Sequence, residues 1–245
     1  MTPPAPPAIS VCMPTYNGER YIREQIESIL PQLSPDDELV VSDDGSKDAT
    51  LEVIAAFHDP RIKVVRRAEA PGCAPNTENA LRQAIGDIVF LADQDDVWLK
   101  DKVKIMVAAL DFCDLVVSDG YPTDGDLKVT HESIHGQRKA STNRWLAMVL
   151  RSPYIGCCMA FRRRVLDTCL PFPPIAAQIG HDVWLGNLCA LRHRVTFIPD
   201  KLIYYRRHGN TASYVMRKSP YSAWHRVRVR AQLMSAVAGR LVRGR

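Results

Sequence analysis

The feature that most limits how this chain can fold is a repeated alternation, over its first half, of short apolar runs with helix-spaced segments. Ile9 to Thr15, Leu39 to Ser42, Ile62 to Val65 and Ile88 to Ala92 have strand length, and Glu19 to Leu30, Ala49 to Phe57 and Pro75 to Ala84 lie between them. Strands that alternate with helices pair in parallel, because each return needs a crossover, and the resulting sheet is covered on both faces. With 46% hydrophobic residues in 245, there is enough material for one large domain or two small ones. A helix at Asp101 to Leu110 and a strand at Leu115 to Ser118 extend the pattern, which weakens from Gly120 to Lys139. Beyond that come a strand at Ile155 to Phe161, a helix at His181 to Arg192, and short runs at Val195 to Ile198 and Leu202 to Tyr205. The chain therefore divides into a leader (1–8), a first half (9–119), a second half (120–218) and a tail (219–245).

Open α/β sheets bind ligands outside the carboxyl ends of their strands. The first strand ends in Pro14-Thr15-Tyr16-Asn17-Gly18 and the second in Asp43-Asp44-Gly45-Ser46. A tyrosine ring stacks on a base, and a carboxylate accepts from base N–H or ribose hydroxyl groups. The same Asp-Gly-Ser group also suits a turn that caps the next helix. The run ending at Ala92 leads into Asp93-Gln94-Asp95-Asp96, three carboxylates in four residues. Such crowding repels itself unless a cation is held there. An Asp-x-Asp pair offers hard oxygens to one Mg²⁺ or Mn²⁺ and leaves its other positions to water and diphosphate. A solvated acidic turn is the alternative reading.

In order, the segments ISVCMPTYNGERYIREQIESIL, ELVVSDDGSKDAT and GDIVFLADQDDVWLKDKV resemble the family 2 glycosyltransferases, and FLADQDDVWL is most similar to the bacterial rhamnosyltransferase-type branch. The resemblance covers Ile9 to Asn210. It implies a GT-A fold, with a Rossmann-like, mostly parallel α/β sheet carrying helices on both faces as the nucleotide-sugar-binding half, joined to an acceptor-binding half. It also implies that Thr15, Tyr16 and Asp44 line the nucleoside site, with Asp43 able to share the base contact, that Asp93 lies near the ribose, and that Asp95 binds a divalent metal. Asn76 stands where many members have an asparagine near the nucleotide, with helix capping as the alternative. Asp182, in Gly180-His181-Asp182-Val183-Trp184, matches the position of the catalytic base, although members commonly have Glu-Asp where this chain has His181-Asp182. The Tyr205-Arg206-Arg207-His208-Gly209-Asn210 segment is similar to the family's ending, with His208 as a third metal ligand or Arg206 facing the diphosphate.

The implied reaction moves a sugar, with inversion, from a nucleoside diphosphate donor (dTDP-rhamnose or a UDP-hexose) to a hydroxyl of a glycan or lipid-linked acceptor in cell-envelope polysaccharide synthesis. A sugar nucleotidyltransferase would carry a Gly-rich, basic phosphate loop after its first strand, and Tyr16-Asn17-Gly18-Glu19 is not one. A non-catalytic nucleotide- or glycan-binding module of the same fold is argued against by the carboxylates at Asp44, Asp95 and Asp182.

Seven scattered cysteines in neither a zinc nor a redox spacing read as buried free thiols. No signal-peptide pattern or long apolar run occurs, and the expectation is a cytoplasmic protein, peripheral on the inner face of the plasma membrane if its tail binds there. No Asp or Glu follows Asp200, while Lys and Arg continue to the end. Ser219-Pro220 reads as a cap and first turn of a helix running through Arg240, on which Trp224, Val227, Ala231, Met234, Ala238 and Leu241 form an apolar stripe. That basic helix suits an anionic membrane surface, or else packs on the core or a second subunit. Nucleic-acid binding is not expected, since no strand face interleaves aromatic and basic residues.

Overall fold

The computed structural model describes residues 9–67, 71–136, 152–209 and 222–243. The leader, Asn210 and the Ser219-Pro220 cap lie outside the described residues. In chain order the elements are β1 (Ile9–Thr15), α1 (Ile22–Ile29), β2 (Glu38–Asp43), α2 (Thr50–Ala55), β3 (Ile62–Arg66), α3 (Cys73–Gln83), β4 (Ile88–Leu91), β5 (Val97–Trp98), α4 (Lys102–Ala109), β6 (Leu115–Thr123), β7 (Met159–Arg162), α5 (Val165–Cys169), α6 (Ala176–Ile179), α7 (His181–Arg192), β8 (Val195–Arg206) and α8 (Ala223–Arg243).

All eight strands join one sheet in the order β3-β2-β1-β4-β7-β6-β8-β5. β3, β2, β1 and β4 are parallel, as the alternating pattern requires. β7 runs antiparallel between β4 and β6, β6 and β8 are parallel, and the short β5 closes the far edge antiparallel to β8. β1 and β2 are buried along almost their whole length, because helices cover both faces and no strand edge is left to water. Strand order reverses between β1 and β4, which makes the carboxyl ends of those two strands the natural ligand crevice.

Three expectations need correction. The strand expected over Ile155 to Phe161 begins only at Met159, after a tight turn at Gly156–Cys158. The runs at Val195 to Ile198 and Leu202 to Tyr205 are one 12-residue strand, whose pairing with β6 is shifted around Asp119 so that Pro199 and Asp200 fit within it. The boundary drawn at Gly120 falls inside β6, and the one sheet continues across it.

Candidate active site at the carboxyl ends of β1 and β4

The loop after β4 is tied to the loop after β1 by Gln94, whose side-chain carbonyl accepts from the Thr15 hydroxyl and from the Tyr16 amide at 3.0 Å, while its amide donates to the Tyr16 carbonyl at 3.1 Å. Gly18 permits this, since a Cβ there would lie 2.3 Å from the Gln94 oxygen. The Tyr16 backbone is thus pinned while the residue stays 45% exposed, which leaves it open to stacking. Thr15 is buried, and its carbonyl accepts from Asn76 Nδ2 at 3.1 Å. Asn76 also accepts from the Ser42 hydroxyl at 2.6 Å. It sits inside α3, where Gly72 is the N-cap, so its role here is to brace the ends of β1 and β2 and not to cap the helix.

The doubled aspartate after β2 separates into two functions. Asp43 accepts from the amides of Gly45 and Ser46 and from the Ser46 hydroxyl, so its carboxylate holds the turn. Asp44 accepts from the Gly72 amide through one oxygen, and its other oxygen, buried, faces Arg67 at 3.5 Å without a hydrogen bond. The buried ion pair with Arg67 balances the Asp44 charge and fixes this carboxylate at the end of β2.

Beyond β4, the three acidic side chains point to different places. Asp96 is fully buried and accepts from the Arg206 amide at 2.9 Å, holding the end of β8. Burial, with Asp95 and Asp93 close by, pushes its carboxyl well above the usual range. Asp95 Oδ2 meets His208 Nε2 at 2.7 Å. Both are partly exposed, and the His208 ring lies against Tyr21 at 4.8 Å between centroids. Asp93, in the same turn, has its carboxyl pushed up to about 7, first by burial and then by the Asp95 carboxylate, with Asp182 adding to the negative field and His181 opposing it.

A carboxylate and an imidazole in contact at 2.7 Å, with the Asp93 carboxylate in the same turn, offer hard O and N donors of the kind that Mn²⁺ or Mg²⁺ takes. Asp93, Asp96 and Cys157 also bring ligand atoms within 4.8 Å of one another, but Asp96 and Cys157 are fully buried and would leave no position for a substrate. The Asp95 and His208 side is therefore the candidate metal centre. Because the ionised form of Asp93 attracts a cation and the protonated form does not, Mn²⁺ is expected to bind more weakly below pH 7 than above it. Its dissociation constant should rise by up to about tenfold per pH unit on the acid side. Calorimetric titration at about pH 5.5 and about pH 8 would read this, and a flat profile would remove Asp93 from the ion's surroundings.

Arg206 does not face this space. Its guanidinium is buried, donating to the carbonyls of Asp95 and Gly125 at 2.7 Å each and to the Glu24 carboxylate, and it lies over the Tyr21 ring at 4.5 Å. It fixes the main chain of the acidic loop from behind. Lys102 is likewise buried, donating to the Cys157 carbonyl at 2.9 Å. Neither brace, nor that of Gln94, had a local sequence signal.

Asp182 opens α7, where Gly180 has φ +95° and a Cβ would strike the Asp182 carboxylate at 2.4 Å. The Asp182 carboxylate accepts from the Val183 amide at 2.8 Å and adds to the negative field at Asp93. His181, where the resemblance leads one to expect an acid, is buried, with Nδ1 3.4 Å from the Thr77 hydroxyl and its ring stacked on Phe172. It clamps α7 to α3, joining the two sides of the crevice.

A family model described as glycosyl transferase family 2 matches residues 10–170. The UDP-Glc:alpha-D-GlcNAc-diphosphoundecaprenol beta-1,3-glucosyltransferase WfgD of Escherichia coli is 29% identical over 180 residues, covering 74% of this chain and 69% of that protein. The crystal structure of S. aureus TarS 1-349 in complex with UDP-GlcNAc superposes with a TM-score of 0.69 at 23% identity, covering 96% of this chain and 66% of that one. Glucosyl-3-phosphoglycerate synthase from Mycobacterium tuberculosis, solved with Mn²⁺, UDP and phosphoglyceric acid, gives a TM-score of 0.60 at 24% identity, covering 96% of this chain and 78% of that one. The fold is the mixed α/β architecture of GT-A glycosyltransferases. The chain spans between 65% and 72% of the length of the first curated relatives it matches.

Proposed function

The chain belongs to glycosyl transferase family 2, and from that membership and the crevice at β1 and β4 we propose that it is an inverting transferase carrying one sugar from a nucleoside diphosphate to a glycan or lipid-linked hydroxyl. It would do so in cell-envelope polysaccharide synthesis, in the cytoplasm against the inner face of the membrane. The observation that carries this reading is the contact of Asp95 with His208 at 2.7 Å in the acidic turn after β4, with Asp93 in the same turn and within the electrostatic reach of Asp182.

Tyr16 and Asp44 suit the nucleoside, with Thr15, Asn76 and Asp43 shaping the walls that hold them. Asp93 faces the ribose and metal side, and Asp95 with His208 holds the divalent ion. When bound, that ion supplies positive charge to the departing diphosphate. Asp182 takes the proton of the acceptor hydroxyl as it attacks, since a neutral hydroxyl is a poor nucleophile. One base and one in-line displacement invert the anomeric carbon.

Between the two donor classes, a UDP-hexose has the better support, because UDP or a UDP-sugar is bound in the TarS and phosphoglycerate synthase structures. A thermal-shift and hydrolysis screen of UDP- and dTDP-sugars with Mn²⁺ tests the reading. A UDP-hexose should raise the melting temperature by several degrees and be slowly hydrolysed, both effects disappearing in EDTA. Response to dTDP-rhamnose alone would transfer the donor assignment to the rhamnosyl class, and no response to any donor would overturn the proposal.

A further inference from the structure

The tail helix α8 is packed on the body of the protein through a face other than the stripe its sequence suggested. Leu233 and Val237 are buried in the core. Arg240 donates to the carbonyls of Thr168, Leu170 and Pro171 and covers the Trp184 ring at 5.5 Å, while Arg192 donates to the Leu241 carbonyl at 2.8 Å. Turning these residues inward sends the opposite face outward. That face carries Trp224, Val227, Ala231, Met234, Ala238 and Val242, all exposed, with Trp224 at 84% and Val242 at 74%. Leu241, expected in the stripe, is half-buried at its inner margin, and Val242 takes its place.

At 1.5 Å per residue these six side chains form an apolar line about 27 Å long, with no charged residue interrupting it. Arg228 flanks it. The helix has no acidic side chain, and none occurs anywhere after Asp200. No helix of the described residues is long and apolar enough to cross a membrane.

We infer that the outward face of α8 is a docking surface for an anionic phospholipid bilayer, on which the helix lies flat with Trp224, Val227, Met234 and Val242 in the interface and the exposed Arg228 at its margin among the headgroups. An amphipathic helix of this kind binds by burying its apolar line while its cations meet the anionic surface, each worth roughly a fivefold gain in partition. The three- and four-residue spacing would also suit a helix pair with a second copy. Charge decides between the two occupants. In a pair, Arg228 would flank the seam opposite a helix that offers no acid to meet it, and Ala231 and Ala238 would give the seam little to bury. The choice of a membrane rests on the proposed acceptor, but docking itself needs neither donor nor acceptor to be measured.

The test is flotation of the full chain with vesicles of phosphatidylglycerol and phosphatidylcholine in equal parts, against phosphatidylcholine alone, for the native protein and for V227E/M234E. Both positions are exposed, so the variant should fold, and an unchanged melting temperature and donor-induced shift confirm this. The native protein should prefer the anionic vesicles by about tenfold or more, lose that preference as salt is raised, and lose it in the variant. Absence of binding by the native protein, or equal binding by the variant, overturns the inference. A concentration-dependent dimer that the variant dissolves, with no vesicle binding, overturns it in favour of a second copy.

Discussion

Replacing Asp95 by asparagine should abolish Mn²⁺-dependent donor binding and lower transfer by about 10³-fold, the loss that follows when several kcal/mol of charge stabilisation leaves the diphosphate side. The substitution keeps the size and one hydrogen-bonding oxygen, so the contact with His208 can persist. The Asp95 carbonyl, which anchors Arg206, is untouched. Fold and loop position should therefore survive while the anionic donor is lost. Calorimetric Mn²⁺ titration, with transfer rates measured across added metal, would separate these effects. Turnover in EDTA at the native rate, or a fully active Asp95→Asn enzyme, would show that the acidic loop serves the fold and not an ion.

The parallel half of the sheet was legible because its pattern is local: each of β1, β2, β3 and β4 is an apolar run followed by turn residues and a helix. The other half was not, because its strands are defined by partners far away. β7 is inserted antiparallel between β4 and β6, and β5 is two residues held by the end of β8, neither of which any window of sequence announces. The same distinction runs through the site. Asp93, Asp95 and Asp96 read as a cluster from adjacency alone, yet only the fold turns Asp96 inward to hold the Arg206 amide and brings Asp95 onto His208, 113 residues away. The choice between Asp43 and Asp44 is a matter of backbone direction at the end of β2, and it appears only when the turn amides are seen to occupy Asp43. In α8 the apolar spacing was readable, but Leu233 and Val237 form a second apolar line, and only contact with the core shows which line is inside.

Asp182→Asn should fold, bind donor and metal as the native protein does, and lose transfer by about 10²-fold or more. Two roles compete for this residue. At the start of α7 a carboxylate satisfies a free amide, here that of Val183 at 2.8 Å, and complements the helix dipole. If that were its whole contribution, asparagine, itself a good residue at helix starts, would cost at most about 1 kcal/mol of stability and little activity. If Asp182 is the base, asparagine retains the hydrogen bond but cannot take the hydroxyl proton, so the loss falls on the chemical step while the donor-induced thermal shift and Mn²⁺ affinity stay near native. The position of the side chain favours the second role. Gly180 holds the backbone at φ +95° so that the Asp182 carboxylate can lie against it, and that carboxylate adds to the negative field that raises Asp93. Measuring kcat and the donor KM separately, alongside the melting temperature, discriminates the two. A fall in melting temperature with transfer near normal would return Asp182 to the helix, and a fall in kcat at unchanged melting temperature and donor KM would assign it to the acceptor's proton.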